Sequence, residues 1–272
     1  MPDIKNIDFV EQVAGAFEAR GLTLSDRLFN EVMAQILKFS ASGGVIDSGS
    51  KSNKQVLAET QKLLESYFAS GFFSDFAPDI VTELSKIQDS SEYFQQKEND
   101  ISFSDAYKVA EINPIKKIFA QNALDSLGQS AFNTEAASPI MKVLLEATQF
   151  GYTLKQTQSA LKAATDSFGR YTGQVVRDSM FGYDGQINGA FAAEIGADAY
   201  KYSGSIIQDS RPQCRRWIKR KTLPFSELAK EIAWANKNGN GMRPNTTKEN
   251  FAVLRGGYNC RHRAIPIKIK TD

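Results

Sequence analysis

Both cysteines and the only histidine of this 272-residue chain fall in its last quarter, as Cys214, Cys260 and His262. Cys260 and His262 stand two residues apart, and folding can bring Cys214 to them. Such a set offers three of the four soft or borderline ligands that zinc takes, with Asp209 or a water left to supply the fourth. Paired C-x-x-C spacing is missing, however. The same residues serve as two cysteines that face each other, bridged or as thiols, beside a hydrogen-bonded structural histidine. That reading is preferred, so no cofactor is expected, and zinc at Cys214, Cys260 and His262 stands second.

Catalysis has little to draw on. A cysteine nucleophile needs a base and a group that orients the base; His262 is available, but no oxyanion hole goes with it. No Ser-His-Asp order, phosphate-cradling glycine loop or His-Glu-x-x-His is present. With one histidine, general acid-base chemistry would fall to carboxylates, and residues 201–272 hold only Asp209, Glu227, Glu231, Glu249 and Asp272. The chain is expected not to be an enzyme, with no catalytic residues assigned.

Around these positions the cations gather. Arg215, Arg216, Lys219, Arg220 and Lys221 surround Trp217, while Arg255, Arg261 and Arg263 flank Cys260 and His262. Residues 1–200 carry a net charge of −9 and residues 201–272 one of +11. Guanidinium groups bind phosphate bidentately and stack on aromatic rings. Arg215, Arg216, Lys219, Arg220, Lys221, Arg255 and Arg263 are therefore expected to contact nucleic acid or an acidic partner. Internal pairing of some arginines with Asp209 and Glu227 is the competing reading.

The elements that must position these residues are mostly helical. At 42% hydrophobic and 24% charged residues the composition is that of a globular protein. No window approaches 18 uncharged apolar residues, and the opening Met-Pro-Asp-Ile-Lys-Asn lacks the basic end and apolar core of a secretion signal, so no membrane span and a cytoplasm-like compartment are expected. Phe9, Val10, Val13 and Phe17 share a helix face that Gly21 would close. Ser25 or Asp26 would cap a second helix from Leu28 to Leu37, ended by Gly43-Gly44. Ile46 to Asn53 reads as an exposed loop, and helical spacing resumes over Leu57 to Phe68 and Pro78 to Gln88. The polar stretch Asp89 to Asp105 reads as a long connection. Helices follow over Ala106 to Glu111, Ile115 to Leu127, Ser138 to Phe150 and Thr153 to Ala164, with a break expected at Asn113-Pro114.

A further helix from Phe168 to Ile195 contains Gly182, Gly185 and Gly189, so it must be kinked, interrupted or closely packed. Strand patterns are nearly absent before residue 198. They then occur at Ala199 to Ile207 and Ala264 to Ile269, where Pro266 favours an edge strand, with a short helix at Phe225 to Asn236 between. The expected fold is mainly α, with a helical N-terminal region followed by a small α+β C-terminal domain. The expected division is a helical region of unnamed relationship over 1–144 and a module over 145–272 whose basic α+β part is 198–272.

Taken in order, several short motifs resemble a known family. They are Arg177-Asp178 and Asn188 on a helix, Tyr200-Lys201-Tyr202, Asp209-Ser210-Arg211-Pro212-Gln213-Cys214, Thr222-Leu223-Pro224-Phe225, and Gly256-Gly257-Tyr258-Asn259-Cys260-Arg261-His262 before Ile265-Pro266-Ile267. The set, covering about 145–272, resembles the Mu F-like or SPP1 gp7-like minor head proteins of tailed phages. It departs from the family in Arg177-Asp178-Ser179, where Arg-Thr-Glu is usual, and in Arg215-Arg216-Trp217, where many members carry a second cysteine. The resemblance implies structural motif residues at Arg177, Asp209, Arg211, Cys214, Gly256, Gly257, Asn259, Cys260, Arg261 and His262. It also implies a minor capsid or head-morphogenesis protein in the virion near the portal vertex, and in the host cytoplasm during assembly. Its implied partners are the portal protein, other capsid proteins and viral double-stranded DNA, and its implied role is head assembly, DNA packaging or DNA ejection. A small nuclease or ADP-ribosyltransferase-like toxin relative is the alternative reading, and a zinc-stabilised nucleic-acid-binding module the second.

Overall fold

In the computed structural model, which describes residues 2–48, 50–69, 73–257 and 260–269, the chain is mainly α with a small α+β part at its C-terminal end. The helices are α1 (Phe9–Ile36), α2 (Lys51–Tyr67), α3 (Phe73–Asn99), α4 (Asp105–Tyr107), α5 (Asn113–Ser126), α6 (Gln129–Phe132), α7 (Ser138–Phe150), α8 (Leu154–Ile195), α9 (Pro212–Arg220), α10 (Phe225–Asn238) and α11 (Phe251–Leu254). The strands are β1 (Ala41–Ser42), β2 (Val45–Ile46), β3 (Ala199–Ser203), β4 (Thr222–Pro224) and β5 (Arg263–Ile267). No helix among the described residues is long and apolar enough to cross a membrane. Tyr258 and Asn259, the latter expected as a motif residue, lie outside the described residues.

The chain divides into two compact units that ignore the expected boundary at 144/145. A helical unit comprises Gly15–Ile80 and Ala123–Val176, and a mixed unit comprises Met1–Ala14, Val81–Asn122 and Arg177–Asp272. Long helices make this possible: α1, α3 and α8 each supply residues to both units.

Within the helical unit, Gly21 does not stop a helix. A Cβ there would come within 3.1 Å of the Thr172 side chain, and one at Gly169 within 2.7 Å of Ser25 Oγ, so small residues let α1 and α8 approach closely. Ser25 does not cap either; its hydroxyl donates back to Leu22 O at 2.8 Å within the continuous helix. Gly43 and Gly44, at φ 60° and 81°, turn the short β1–β2 hairpin instead of ending a helix, because that turn needs positive φ at both positions. Lys51 already lies in α2, so the expected loop is shorter by its last residues. The helix α7 has the expected bounds and is closed by Gly151 in left-handed conformation, φ 65°. Phe132 lies edge-on to Phe168 at 5.5 Å and stacks near Tyr67, whose hydroxyl donates to Leu24 O at 2.6 Å.

The mixed unit carries a three-stranded antiparallel sheet in the order β4-β3-β5. Pro266 sits in the edge strand β5 as expected, where it need not donate to a further neighbour. Two groups of that edge are met by Asn99: its amide donates to Pro266 O at 2.9 Å, and its carbonyl accepts from Lys268 N at 3.1 Å. Packed with the sheet is a core of Tyr200, Tyr202, Trp217, Leu223, Leu228, Ile232 and Phe251. Two of the glycines in the second half of α8 mark close packing, not a break, while Gly189 faces open space. A Cβ on Gly182 would come 2.7 Å from the Phe119 ring, and one on Gly185 2.7 Å from Val253 Cα.

The largest correction concerns residues 89–105, which are not a long connection, since α3 continues to Asn99. Ser90, Ser91 and Gln95 among their polar residues face inward. Ser90 and Ser91 are fully buried, their hydroxyls donating to Ile4 O at 2.8 Å and to Asp184 Oδ1 at 3.0 Å. Hydrogen bonds replace apolar burial along this face, so hydrophobic spacing does not reveal the helix. Likewise Asn113-Pro114 does not break the chain's helical course. A π turn at Lys108–Ile112 leads straight into α5, so Pro114 lies within an unbroken helical run from Asp105 to Ser126.

Candidate functional site

The motif segments meet in the mixed unit. Strand alternation puts Tyr200 and Tyr202 of β3 on the buried face. Arg211, with φ −67° and ψ 156°, is the extended residue before α9, and Pro212 begins the helix with its fixed φ, which places Cys214 on the first turn facing inward. The return from α11 to β5 brings Cys260 and His262.

The result is a buried cluster of four reactive side chains. Cys214, Cys260, His262 and Tyr202 are each no more than 5% exposed. The sulfurs lie 4.0 Å apart as free thiols, Cys260 Sγ is 3.6 Å from His262 Nδ1, and the Tyr202 hydroxyl lies 3.3 Å from Cys260 Sγ and 3.6 Å from Cys214 Sγ. Tyr202 also stacks on the His262 ring at 5.4 Å. No bridge joins the cysteines, so of the two forms expected for a facing pair, the structure holds the thiol form. His262 Nε2 is buried with no hydrogen-bond partner among the described residues.

Electrostatics distinguishes the two sulfurs. The hydrogen bond from Cys214, aided by His262 and the Arg255 guanidinium, holds Cys260 well below the usual thiol range against the opposing effect of burial. Cys214, which gives up its hydrogen bond to Cys260 and is itself buried, is pushed up. Burial raises Tyr202 far above an ordinary phenol, and the neighbouring sulfurs add to this.

Gly256 and Gly257 exist for close approach. A Cβ on Gly256 would collide with Cys214 Sγ and reach within 3.0 Å of Cys260 Sγ, and one on Gly257, at φ 100°, would meet the Gly241 carbonyl. Arg211 Nη1 and Gln213 Nε2 both donate to Gly256 O at 3.0 Å, and Gln213 also donates to Asn240 O at 2.6 Å. These bonds fasten the glycine turn to the start of α9. A cavity of about 200 Å³ opens beside the cluster, lined among others by Asp209, Arg211, Cys214, Cys260, Arg261 and His262.

Arg177 is brought into the same unit by another route. Its guanidinium donates to both Glu11 oxygens at 2.9 and 3.1 Å, and Arg261 reaches Glu11 Oε1 at 2.8 Å. Glu11 thus ties the family-like arginine of α8 to the segment before β5.

The cations expected to meet a partner are mostly used inside the fold. Arg263 is 1% exposed; it pairs with Asp184 at 2.6 Å and donates to Ser90 and Ser91. Arg255 is buried and donates to Phe181 O. Neither presents its charge at a surface, which corrects the expectation for both. Arg216 grips Glu231 bidentately at 2.8 and 2.9 Å, Arg220 joins Glu231 and Glu227, and the Trp217 indole donates to the same Glu231 at 3.0 Å. Arg216 also lies 4.5 Å over the Trp234 ring. These three donors hold Glu231 down at about 2, with burial opposing. Internal pairing of α9 arginines is therefore observed, with Glu231 and Glu227 as the acids and Asp209 not among them. Arg215, although exposed, closes the preceding loop by donating to the carbonyls of Ser210, Ile207 and Gln208. Lys219 and Lys221 keep exposed side chains at the end of α9.

Sequence reasoning named neither Tyr202 as a member of the cluster nor Glu11 and Asp184 as partners. The strand pattern that buries Tyr200 also buries Tyr202, so that signal was present. Glu11 and Asp184 lie on helices distant in sequence and carry no local signal. No family model, curated protein or solved structure matches this chain.

Proposed function

We propose that this chain is a non-enzymatic structural protein of a tailed-phage head, a minor capsid or head-morphogenesis protein working near the portal vertex. The observation that carries the reading is the gathering of the family-like segments 209–214, 256–257 and 260–262 around one buried cluster, with its flanking arginines engaged inside the fold. Groups that secure one another suit a part that is built into an assembly. Portal and neighbouring capsid proteins are the partners that fit best. Of the cations expected to grip viral DNA, only Lys219 and Lys221 keep exposed side chains outside the fold's own bonding, because Arg255 and Arg263 are buried, Arg216 and Arg220 are paired and Arg215 holds a loop.

Particles purified from the encoding phage should contain the chain, cross-linked to portal, and a nonsense allele should yield defective heads. Absence of the chain from particles, with normal heads in the allele, would sink this reading. One observation favours the nuclease or toxin-like alternative, namely that Asp209, Arg211 and His262 line a common cavity. Plasmid cleavage by the pure chain, lost in His262→Ala, would establish that alternative instead.

A further inference from the structure

We propose that Cys214, Cys260 and His262 form a zinc site, with a solvent molecule in the adjoining cavity as fourth ligand. Their ligand atoms all lie within 4.8 Å of one another, and all three side chains are buried. Zinc bound tetrahedrally at ordinary bond lengths sets two sulfurs about 3.8 Å apart, and a sulfur and an imidazole nitrogen about 3.6 Å apart. The distances here are 4.0 and 3.6 Å. Two edges of the triangle thus stand close to those of a zinc tetrahedron, and the third, between Cys214 and His262, lies within 4.8 Å, so a small turn of either side chain closes the set. A disulfide would instead require the sulfurs to close to about 2.05 Å, and it would leave His262 without a part.

Further observations point the same way. His262 is 3% exposed, and the ring nitrogen it turns toward Cys260 is Nδ1, which would be the ligand atom. Gly256 leaves space beside both sulfurs that any side chain would fill. The Tyr202 hydroxyl, 3.3 and 3.6 Å from the sulfurs, is set to donate to coordinated thiolates as an outer hydrogen bond. The three residues line the cavity with Asp209 and Ser210, which gives a metal ion a path in and room for a bound water. Binding deprotonates the thiols and releases their protons to solvent. The inference stands apart from the virion role and would hold for a chain of any function.

The test uses the full chain, purified under reducing conditions with a tag free of histidine and cysteine. Elemental analysis should give one zinc per chain. Cobalt(II) added to the metal-free chain should produce intense visible bands of a tetrahedral site with thiolate-to-metal charge transfer in the near ultraviolet. Cys214→Ser and Cys260→Ser should each weaken zinc binding at least tenfold, and Tyr202→Phe should retain the stoichiometry. A wild-type chain that takes up neither ion overturns the site, as does a wild-type cobalt spectrum without the thiolate charge-transfer band, or zinc binding that is undiminished in Cys214→Ser/Cys260→Ser. If the cysteine variants do not fold, the wild-type charge-transfer band decides alone, because it arises only when sulfur is bound to the metal.

Discussion

Two buried carboxylates in the mixed unit are each held by guanidinium, Glu231 by two groups and Asp184 by one, and they are held in opposite ways. Glu231 draws its partners from within 15 residues, and Arg216 and Arg220 remain 38% and 31% exposed. Asp184 and Arg263 are both 1% exposed, lie 79 residues apart, and share Ser91 from a third segment, where Ser90 also accepts from Arg263. The first is a local clasp between α9 and α10 whose cations keep much of their hydration. The second is an interior joint of α3, α8 and β5 that has no water to fall back on. The same chemical pair therefore carries different consequences, because the cost of losing a partner depends on whether the survivor can be rehydrated.

The difference can be broken most directly at Arg263. Arg263→Met strands Asp184 in the interior and should cost about 3 to 5 kcal/mol in urea unfolding. Arg263→Met/Asp184→Leu should recover a good part of that loss, whereas a single-variant loss below about 1 kcal/mol would put the two carboxylates in the same class. Next in size is the clasp. The folded state holds Glu231 at about 2 against an ordinary 4.5, so its contribution is complete above pH 4.5 and is lost as pH falls toward 2. A shift of that size is worth no more than about 3 kcal/mol. The stability gap between wild type and Glu231→Gln should accordingly shrink on acidification across that window, and a gap that stays constant would remove the clasp from the comparison.

Gly256→Ala probes neither acid but the close approach beside the two thiols. Forcing a methyl against Cys214 Sγ should cost about 1 to 3 kcal/mol, read as a lower thermal midpoint. Least affected should be Lys219→Ala, within about 0.5 kcal/mol of wild type by the same unfolding assay. A larger loss would mean that the exposed end of α9 is bound into the fold after all.

How much of this was legible in the sequence follows the same division. The local clasp was half-read, since Glu227 was expected as an acid for the arginines and Glu231 sits one helical turn further on. The joint was not read at all. Ser90, Ser91 and Gln95 are fully buried polar residues, and a helix face satisfied by hydrogen bonds has the composition of a loop. Helices with apolar faces and clear stops, such as α7 between Pro139 and Gly151, emerged at their expected bounds. Glycine misled in α1, where it marks contact between helices, and informed in α8, where close packing was among the expected explanations. For the site, the Cys-Cys-His set was legible from residue types alone. Its geometry was not, because it depends on Arg211 and Gln213 holding a glycine turn some 43 residues away.

The mixed unit is assembled from three separated stretches of chain, and this sets an order of events during synthesis. Everything the helical unit needs has been translated by Val176. The mixed unit must wait for β5, and Glu11 for an arginine 250 residues downstream. Contacts of such separation pay their loop closure before they return any stability, and they form late. Glu11 and its neighbours in the mixed unit therefore wait through some 250 further residues of synthesis for their final partners, and over that interval the ribosome-bound chain is exposed to chaperones and proteases.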